Sequence, residues 1–136
     1  MKERFTAAHA GKLVLIILLG SLVYHFLVIS GVVGYAAAWG GRLKSHEEML
    51  WFESVSIAVT LLVIAATAIR IGLLRVTFPP ALLSALFYFL TLLFTLNTLG
   101  NLAAIDNLEK YIATPLTAIL AVCCLRLAVE KIPPTS

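Results

Sequence analysis

The sequence predicts an all-α integral membrane protein, a four-helix antiparallel bundle with both termini in the cytoplasm. Of its 136 residues, 61% are hydrophobic and 12% are charged, whereas a soluble domain has roughly 25% charged residues. Four apolar runs each approach or exceed the roughly 20 residues that cross a bilayer as a helix. None shows the alternation of a strand, and an open sheet could not satisfy its backbone hydrogen bonds in lipid. We therefore expect one four-pass domain over residues 1–136.

The first two helices are predicted at residues 13–37 and 49–69. The basic start and the apolar stretch after it resemble a signal peptide. However, the apolar stretch is longer than the roughly 7–15 residues of a signal-peptide core. We therefore expect a retained first helix. The glycines of the "WGG" stretch that follows it indicate a turn at the membrane surface.

The last two helices are predicted at residues 81–104 and 111–129. The Pro79-Pro80 pair separates the third helix from the second, because the residue before a proline disfavours helical geometry. Pro115 lies in the first turns of the fourth helix, where a missing N–H group costs little. The short linkers predict that consecutive helices run antiparallel and pack together.

The basic residues predict the orientation. Seven of the ten lysines and arginines lie on the side of the N-terminus, and lysine and arginine are enriched on the cytoplasmic side of membrane proteins. Trp39, Trp51 and Tyr111 fall at the opposite ends of the helices, where aromatic rings favour the membrane interface. These patterns predict a protein of the inner or plasma membrane. The basic residues of the cytoplasmic side are Lys2, Arg4, Lys12, Arg70, Arg75, Arg126 and Lys131; those of the outer side are Arg42, Lys44 and Lys110.

Small and hydroxyl residues recur at helical spacing within the last three helices. Such stripes are typical of packed membrane helices, because they allow close approach and hydrogen bonds between helices. By themselves they predict a bundle and need no ligand. The stripes are Glu53, Ser56, Thr60 and Thr67 in the second helix; Ser84, Tyr88, Thr91, Thr95, Thr98 and Asn101 in the third; and Tyr111, Thr114, Thr117, Ala121, Cys124 and Ala128 in the fourth.

Five polar residues are the candidate ligand-binding groups. An ionisable side chain within a membrane span is costly unless it is paired or hydrated, and it often marks a functional site. His25 is expected at the centre of its helix, deeper than Glu53. Asn97 and Asn101 are expected to point into the bundle near Glu53, with Thr114 at the same outer level. The alternative is a hydrogen-bond network that only fixes how the helices pack.

Metal, cofactor and nucleic-acid sites are not expected. The adjacent Cys123 and Cys124 do not form a CxxC motif, and neighbouring cysteines rarely pair. His46, Glu47 and Glu48 lack the second histidine of a zinc motif. The basic residues are scattered over helix ends and do not form the clustered patch of a nucleic-acid-binding protein.

Three functions remain open. The first is a small transporter-like, ligand-binding or accessory membrane protein with an outward-facing polar pocket. The second is a membrane-embedded enzyme acting on a lipid or isoprenoid, with Glu53 and His25 as general acid and base. The third is a structural assembly partner of a larger membrane complex. The expected partners are the lipid bilayer and another copy or another membrane protein.

Overall fold

A computed structural model describes residues 5–32, 44–103 and 109–130. All regular secondary structure in these ranges is helical, and four helices are long and apolar enough to cross a membrane. This confirms the all-α prediction and its four helices. The helices are α1 (Ala7–Ile29), α2 (His46–Arg70), α3 (Pro80–Leu102) and α4 (Thr114–Ala128), with a π-helical turn at Glu109–Ala113 directly before α4.

Helix α1 starts at Ala7, and the predicted start at residue 13 is wrong. Thr6 caps the helix: its side-chain oxygen accepts a hydrogen bond from the His9 amide at 3.2 Å. The His9 ring in turn lies within hydrogen-bond distance of the Thr6 amide, which completes a capping box. The apolar run does not include this start, because alanine, glycine and one lysine occupy the first turns of the helix. The other end of α1 is Ile29, and Gly31 then has a left-handed φ of 91°.

The remaining helices match their predicted ranges to within a few residues. Ser45 caps α2 by accepting a hydrogen bond from the Glu48 amide at 3.1 Å. Pro80 is the first residue of α3, one residue before the predicted start, and Pro115 lies in the first turn of α4, as the sequence predicted. Some predictions concern residues outside the described ranges, namely Lys2, Arg4, residues 33–37, Trp39, Arg42, residue 104 and Lys131.

Helix α1 packs against α2 and α4, and α3 packs mainly against α4. The backbones of α2 and α3 hardly approach each other. One apolar core joins the four helices, with Val14, Leu18, Phe87, Leu127 and Cys124 among its most buried members. Helices α1 and α4 thus form the centre of the molecule.

Contacts at both ends of α1 and α2 show which parts of these helices meet. Gly11 near the start of α1 lies so close to Ile71, just after α2, that a Cβ atom on Gly11 would overlap the Ile71 side chain. Val28 near the end of α1 packs with Met49 near the start of α2. The start of each helix therefore lies beside the end of the other.

The polar stripe of α2 faces protein, as expected, since Glu53, Thr60 and Thr67 are buried. The stripe of small residues in α4 is buried too, at Ala121, Cys124 and Ala128. Both helices use small or hydroxyl side chains where they pack against their neighbours.

The stripe of α3 behaves differently. Its buried positions are apolar, namely Leu83, Phe87, Leu90 and Phe94. Tyr88, at 51% exposure, and Thr95 lie on the exposed surface. The hydroxyl groups of α3 were therefore a poor guide to its packing face, because a threonine in a helix can satisfy itself: Thr95 donates to a backbone carbonyl one turn earlier, at 2.7 Å.

Candidate functional site

Two ionisable side chains from different helices meet inside the molecule. His25 Nδ1 of α1 lies 2.6 Å from Glu53 Oε1 of α2. Glu53 is fully buried, while the His25 side chain keeps 19% of its surface exposed. The neighbouring Tyr24 ring stands edge-on to the imidazole, with the ring centroids 5.9 Å apart. The site is thus an acid and a base in contact, in which the histidine rather than the carboxylate keeps some exposed surface.

The chemistry of this pair follows from its donors and acceptors. An ionised carboxylate only accepts hydrogen bonds, so a proton must sit on or between His25 Nδ1 and Glu53 Oε1. A buried carboxylate is costly when it lacks a positive partner, which makes that proton important for the fold. The pair can hold a proton, transfer it between its two members, or give it up if another cation takes its place beside Glu53.

The depth expected for His25 is wrong. The histidine was expected at the centre of its helix, deeper than Glu53, but the two side chains are in contact. The reason is that α1 spans Ala7–Ile29, so His25 lies in the last two turns of the helix and not at its centre. The structure therefore brings together two candidates that the sequence placed at different depths.

Asn101 belongs to a second polar cluster, between α3 and α4. Its Nδ2 donates to Thr117 Oγ1 at 3.2 Å, and Thr98 Oγ1 lies 3.0 Å from the same oxygen. Thr117 Oγ1 also lies 3.1 Å from the carbonyl of Thr114, the first residue of α4. Among the described residues, no direct hydrogen bond joins Asn101 to Glu53, in contrast to the expected contact.

Asn97 lies on the exposed surface of α3, so the expectation that its amide points into the bundle is wrong. The buried α3 positions are the four apolar ones named above; Asn97 continues their helical spacing beyond Phe94, but it is exposed. A polar side chain at the surface of a membrane helix is costly in lipid and favours contact with another polar group.

The described residues hold no cluster of three or more histidine, cysteine or acidic side chains that could bind a metal ion. A groove of about 260 Å³ lies between α1 and α4 and has an entirely apolar lining. It contacts Leu13, which is about 18 Å along α1 from His25 at 1.5 Å per residue. This groove is separate from the acid–base pair.

Arg70 is a buried charged residue that the sequence analysis counted only for orientation. It is 8% exposed, ends α2, and donates from Nη2 to Ser84 Oγ of α3. The sequence contained a signal: Arg70 follows Thr67 by one helical turn and continues the buried stripe of α2. A charged residue in register with a buried stripe should have been a candidate in its own right.

Comparisons of the chain with protein-family models, with curated proteins and with solved structures give no match.

Proposed function

We propose that this chain is a small multi-pass protein of the plasma membrane, with an outward-facing polar site centred on Glu53 and His25. In this proposal it is transporter-like, or a ligand-binding accessory subunit, and its ligand is a small cation that exchanges with the proton of the pair. The proposed site residues are Glu53 and His25, with Asn101 and Thr114 at the same end of the helices.

The proposed architecture is an antiparallel bundle with both termini in the cytoplasm. The contacts of Gly11 with Ile71 and of Val28 with Met49 support antiparallel packing of α1 and α2. The excess of lysine and arginine beside the N-terminus supports its cytoplasmic location. In this orientation the pair of His25 and Glu53 lies in the outer half of the membrane.

The observation that carries the proposal is the 2.6 Å contact between a fully buried carboxylate and a partly exposed imidazole. Ionisable groups within membrane spans are expensive and commonly mark proton or ion pathways. The exposed edge of His25 gives an incoming cation a route to the pair. A cation that reaches Glu53 replaces the positive charge of the imidazolium, and His25 then releases its proton.

The amide and hydroxyl groups between α3 and α4 have a supporting role in this proposal. Asn101 and Thr117 are hydrogen-bonded to each other at 3.2 Å, near the end of α3 and the start of α4. In the proposed bundle this is the same end as Glu53. Their neutral oxygens would complete the coordination of a cation or bind the polar part of an organic amine.

A panel of cations tests the proposal. Purified protein in detergent is heated with sodium, potassium or a small protonated amine, and its melting temperature is measured at constant ionic strength. We expect at least one of these cations to stabilise the wild type and to lose its effect in Glu53→Gln, because an amide cannot neutralise a cation. Glu47→Gln is the matched control, since Glu47 lies exposed in the first turn of α2.

The full burial of Glu53 also supports a second candidate, a structural assembly partner in which the pair only fixes the packing of α1 on α2. This candidate predicts that no cation stabilises the wild type more than it stabilises Glu53→Gln. Equal stabilisation of the wild type and both variants would therefore count against the binding proposal and in favour of the structural one.

A further inference from the structure

The end of α2 opposite to Glu53 holds an arginine whose hydrogen-bonding capacity is largely unused. Arg70 is buried, with 8% of its surface exposed. Its Nη2 donates to Ser84 Oγ, and its guanidinium carbon lies 5.8 Å from the centroid of the Phe87 ring. Nε and Nη1 are buried and have no hydrogen-bond partner among the described residues.

This arrangement is expensive without a further partner. A guanidinium keeps its charge in proteins, so Arg70 cannot avoid the cost of burying a charge by losing a proton. Each buried donor left unsatisfied costs about 1–3 kcal/mol, and more when the group is charged. The contact with Phe87 favours the positive charge but uses none of the N–H groups. Within the part of the chain that the structure describes, two nitrogens of Arg70 therefore lack an acceptor.

Glu130 is the acid that acts on Arg70 among the described residues, and its hydrogen bond goes to another arginine. The carboxylate of Glu130, just after α4, attracts the Arg70 guanidinium electrostatically. Its Oε1 is hydrogen-bonded to Arg126 Nη1 at 2.9 Å, and Arg126 Nε donates to the backbone carbonyl of Phe5. This group of side chains holds two guanidinium charges and one carboxylate. Among the described residues, one positive charge of this group is left without a carboxylate.

A hydroxyl group adds to the donors at this place. Thr67 lies one turn before Arg70 on the same face of α2, is fully buried, and its Oγ1 has no hydrogen-bond partner among the described residues. A guanidinium edge combined with a hydroxyl donor matches the several oxygens of a phosphate group, for which arginine has a favourable two-pronged geometry.

We propose that Arg70 and Thr67, with Ser84 beside them, bind the phosphate of an anionic phospholipid headgroup at this end of the helices. The location fits, because Arg70 is the last residue of α2, where a membrane helix reaches the headgroups. Basic pockets between membrane helices on the cytoplasmic side commonly bind anionic lipid headgroups. The site lies about 25 Å along α2 from Glu53 at 1.5 Å per residue, so it does not depend on the function proposed there.

Phosphate binding requires a local opening, because Nε and Nη1 are covered. The segment that begins at Gly72 is the place for this opening. Gly72 has a left-handed φ of 87°, and a Cβ atom there would meet nothing within 4 Å. A shift of the chain from Gly72 onward would uncover the guanidinium edge while Ile71 keeps its contact with Gly11.

Native mass spectrometry with defined lipids tests the proposal. Purified protein is mixed with phosphatidylglycerol or with phosphatidylcholine of the same acyl chains, and the bound lipids are counted. We expect the wild type to keep phosphatidylglycerol preferentially, and Arg70→Gln to lose about tenfold or more of that preference, since a hydrogen bond to a charged group is worth about 1.5–3 kcal/mol. Arg75→Gln is the matched control, because it removes the same charge from an exposed position five residues further along.

Three results would overturn the proposal. The first is an unchanged preference in Arg70→Gln. The second is an equal loss in Arg75→Gln, which would indicate general surface electrostatics. The third is saturation of the site by inorganic phosphate at the lipid concentration, which would assign it to a free anion. If Arg70→Gln does not fold, Thr67→Val provides the test with the charge intact, and an unchanged lipid preference in that variant overturns the role given to Thr67.

Discussion

Replacing His25 by alanine should destabilise the protein far more than replacing Glu53 by glutamine. The alanine variant removes the imidazole that lies 2.6 Å from a fully buried carboxylate. Removing one member of a buried ion pair typically costs about 3–5 kcal/mol, because a buried charge loses its partner. Since the His25 side chain is 19% exposed, water can reach the space it leaves. We therefore expect the lower end of that range, about 3 kcal/mol, or about a hundredfold in the unfolding equilibrium.

Glu53→Gln should cost about 1 kcal/mol or less, because the amide can still form a hydrogen bond with His25 and no charge is buried. The double variant His25→Ala/Glu53→Gln should then be more stable than His25→Ala alone. We expect a coupling free energy of about 1–2 kcal/mol, within the range found for residues in contact.

Reversible unfolding in mixed detergent micelles, followed by circular dichroism at neutral pH, measures all three free energies. The Glu47→Gln variant provides the baseline for a charge removed at an exposed site of α2. If the effects of the two single substitutions simply add in the double variant, then burial of the Glu53 charge does not control stability here, and the reasoning is refuted.

Three further predictions concern packing and orientation. Asn101→Leu should lower the free energy of unfolding by about 0.6–1 kcal/mol, as expected for one lost interhelical hydrogen bond. Asn97→Leu should leave the free energy of unfolding unchanged or raise it, because Asn97 is exposed. Unfolding in detergent measures both values, and equal losses in the two variants would contradict the assignment. Gly11→Ala should destabilise the protein by about 1–3 kcal/mol, because the added methyl group overpacks the contact with Ile71. Gly20→Ala should stabilise its helix by about 0.5–1 kcal/mol, because nothing lies within 4 Å of the added atom. A higher melting temperature for Gly11→Ala than for Gly20→Ala would argue against the contact of α1 with α2. A single cysteine at Lys44 should react with a membrane-impermeant maleimide added outside intact cells, and labelling from the cytoplasmic side alone would invert the proposed orientation.

The sequence was sufficient for the number and type of helices, because apolar length is a strong local signal that does not depend on neighbouring helices. It was also sufficient for the packing faces of α2 and α4, where buried Thr60 and Ala121 lie at the predicted positions. It misplaced the start of α1, because Thr6 and the small residues after it carry a capping signal rather than a hydrophobic one.

The arrangement of the site was harder to predict, since it depends on which helices are neighbours. The sequence identified His25, Glu53 and Asn101, but it could not show that α2 packs on α1 while α3 packs on α4. Because the helices pair in this way, Glu53 contacts His25 and Asn101 contacts Thr117. Helical periodicity gives the face of a residue within one helix, and it contains no information about the partner of that face.

Proton release on cation binding tests the central claim most directly. Isothermal titration calorimetry of the purified protein, repeated in buffers with different enthalpies of ionisation, gives the number of protons released for each cation bound. The exchange proposed for Glu53 and His25 predicts net proton release by the wild type and by Glu47→Gln, and none by Glu53→Gln. Cation binding without proton release in the wild type, or equal release in all three proteins, would contradict the assignment of the site to this pair.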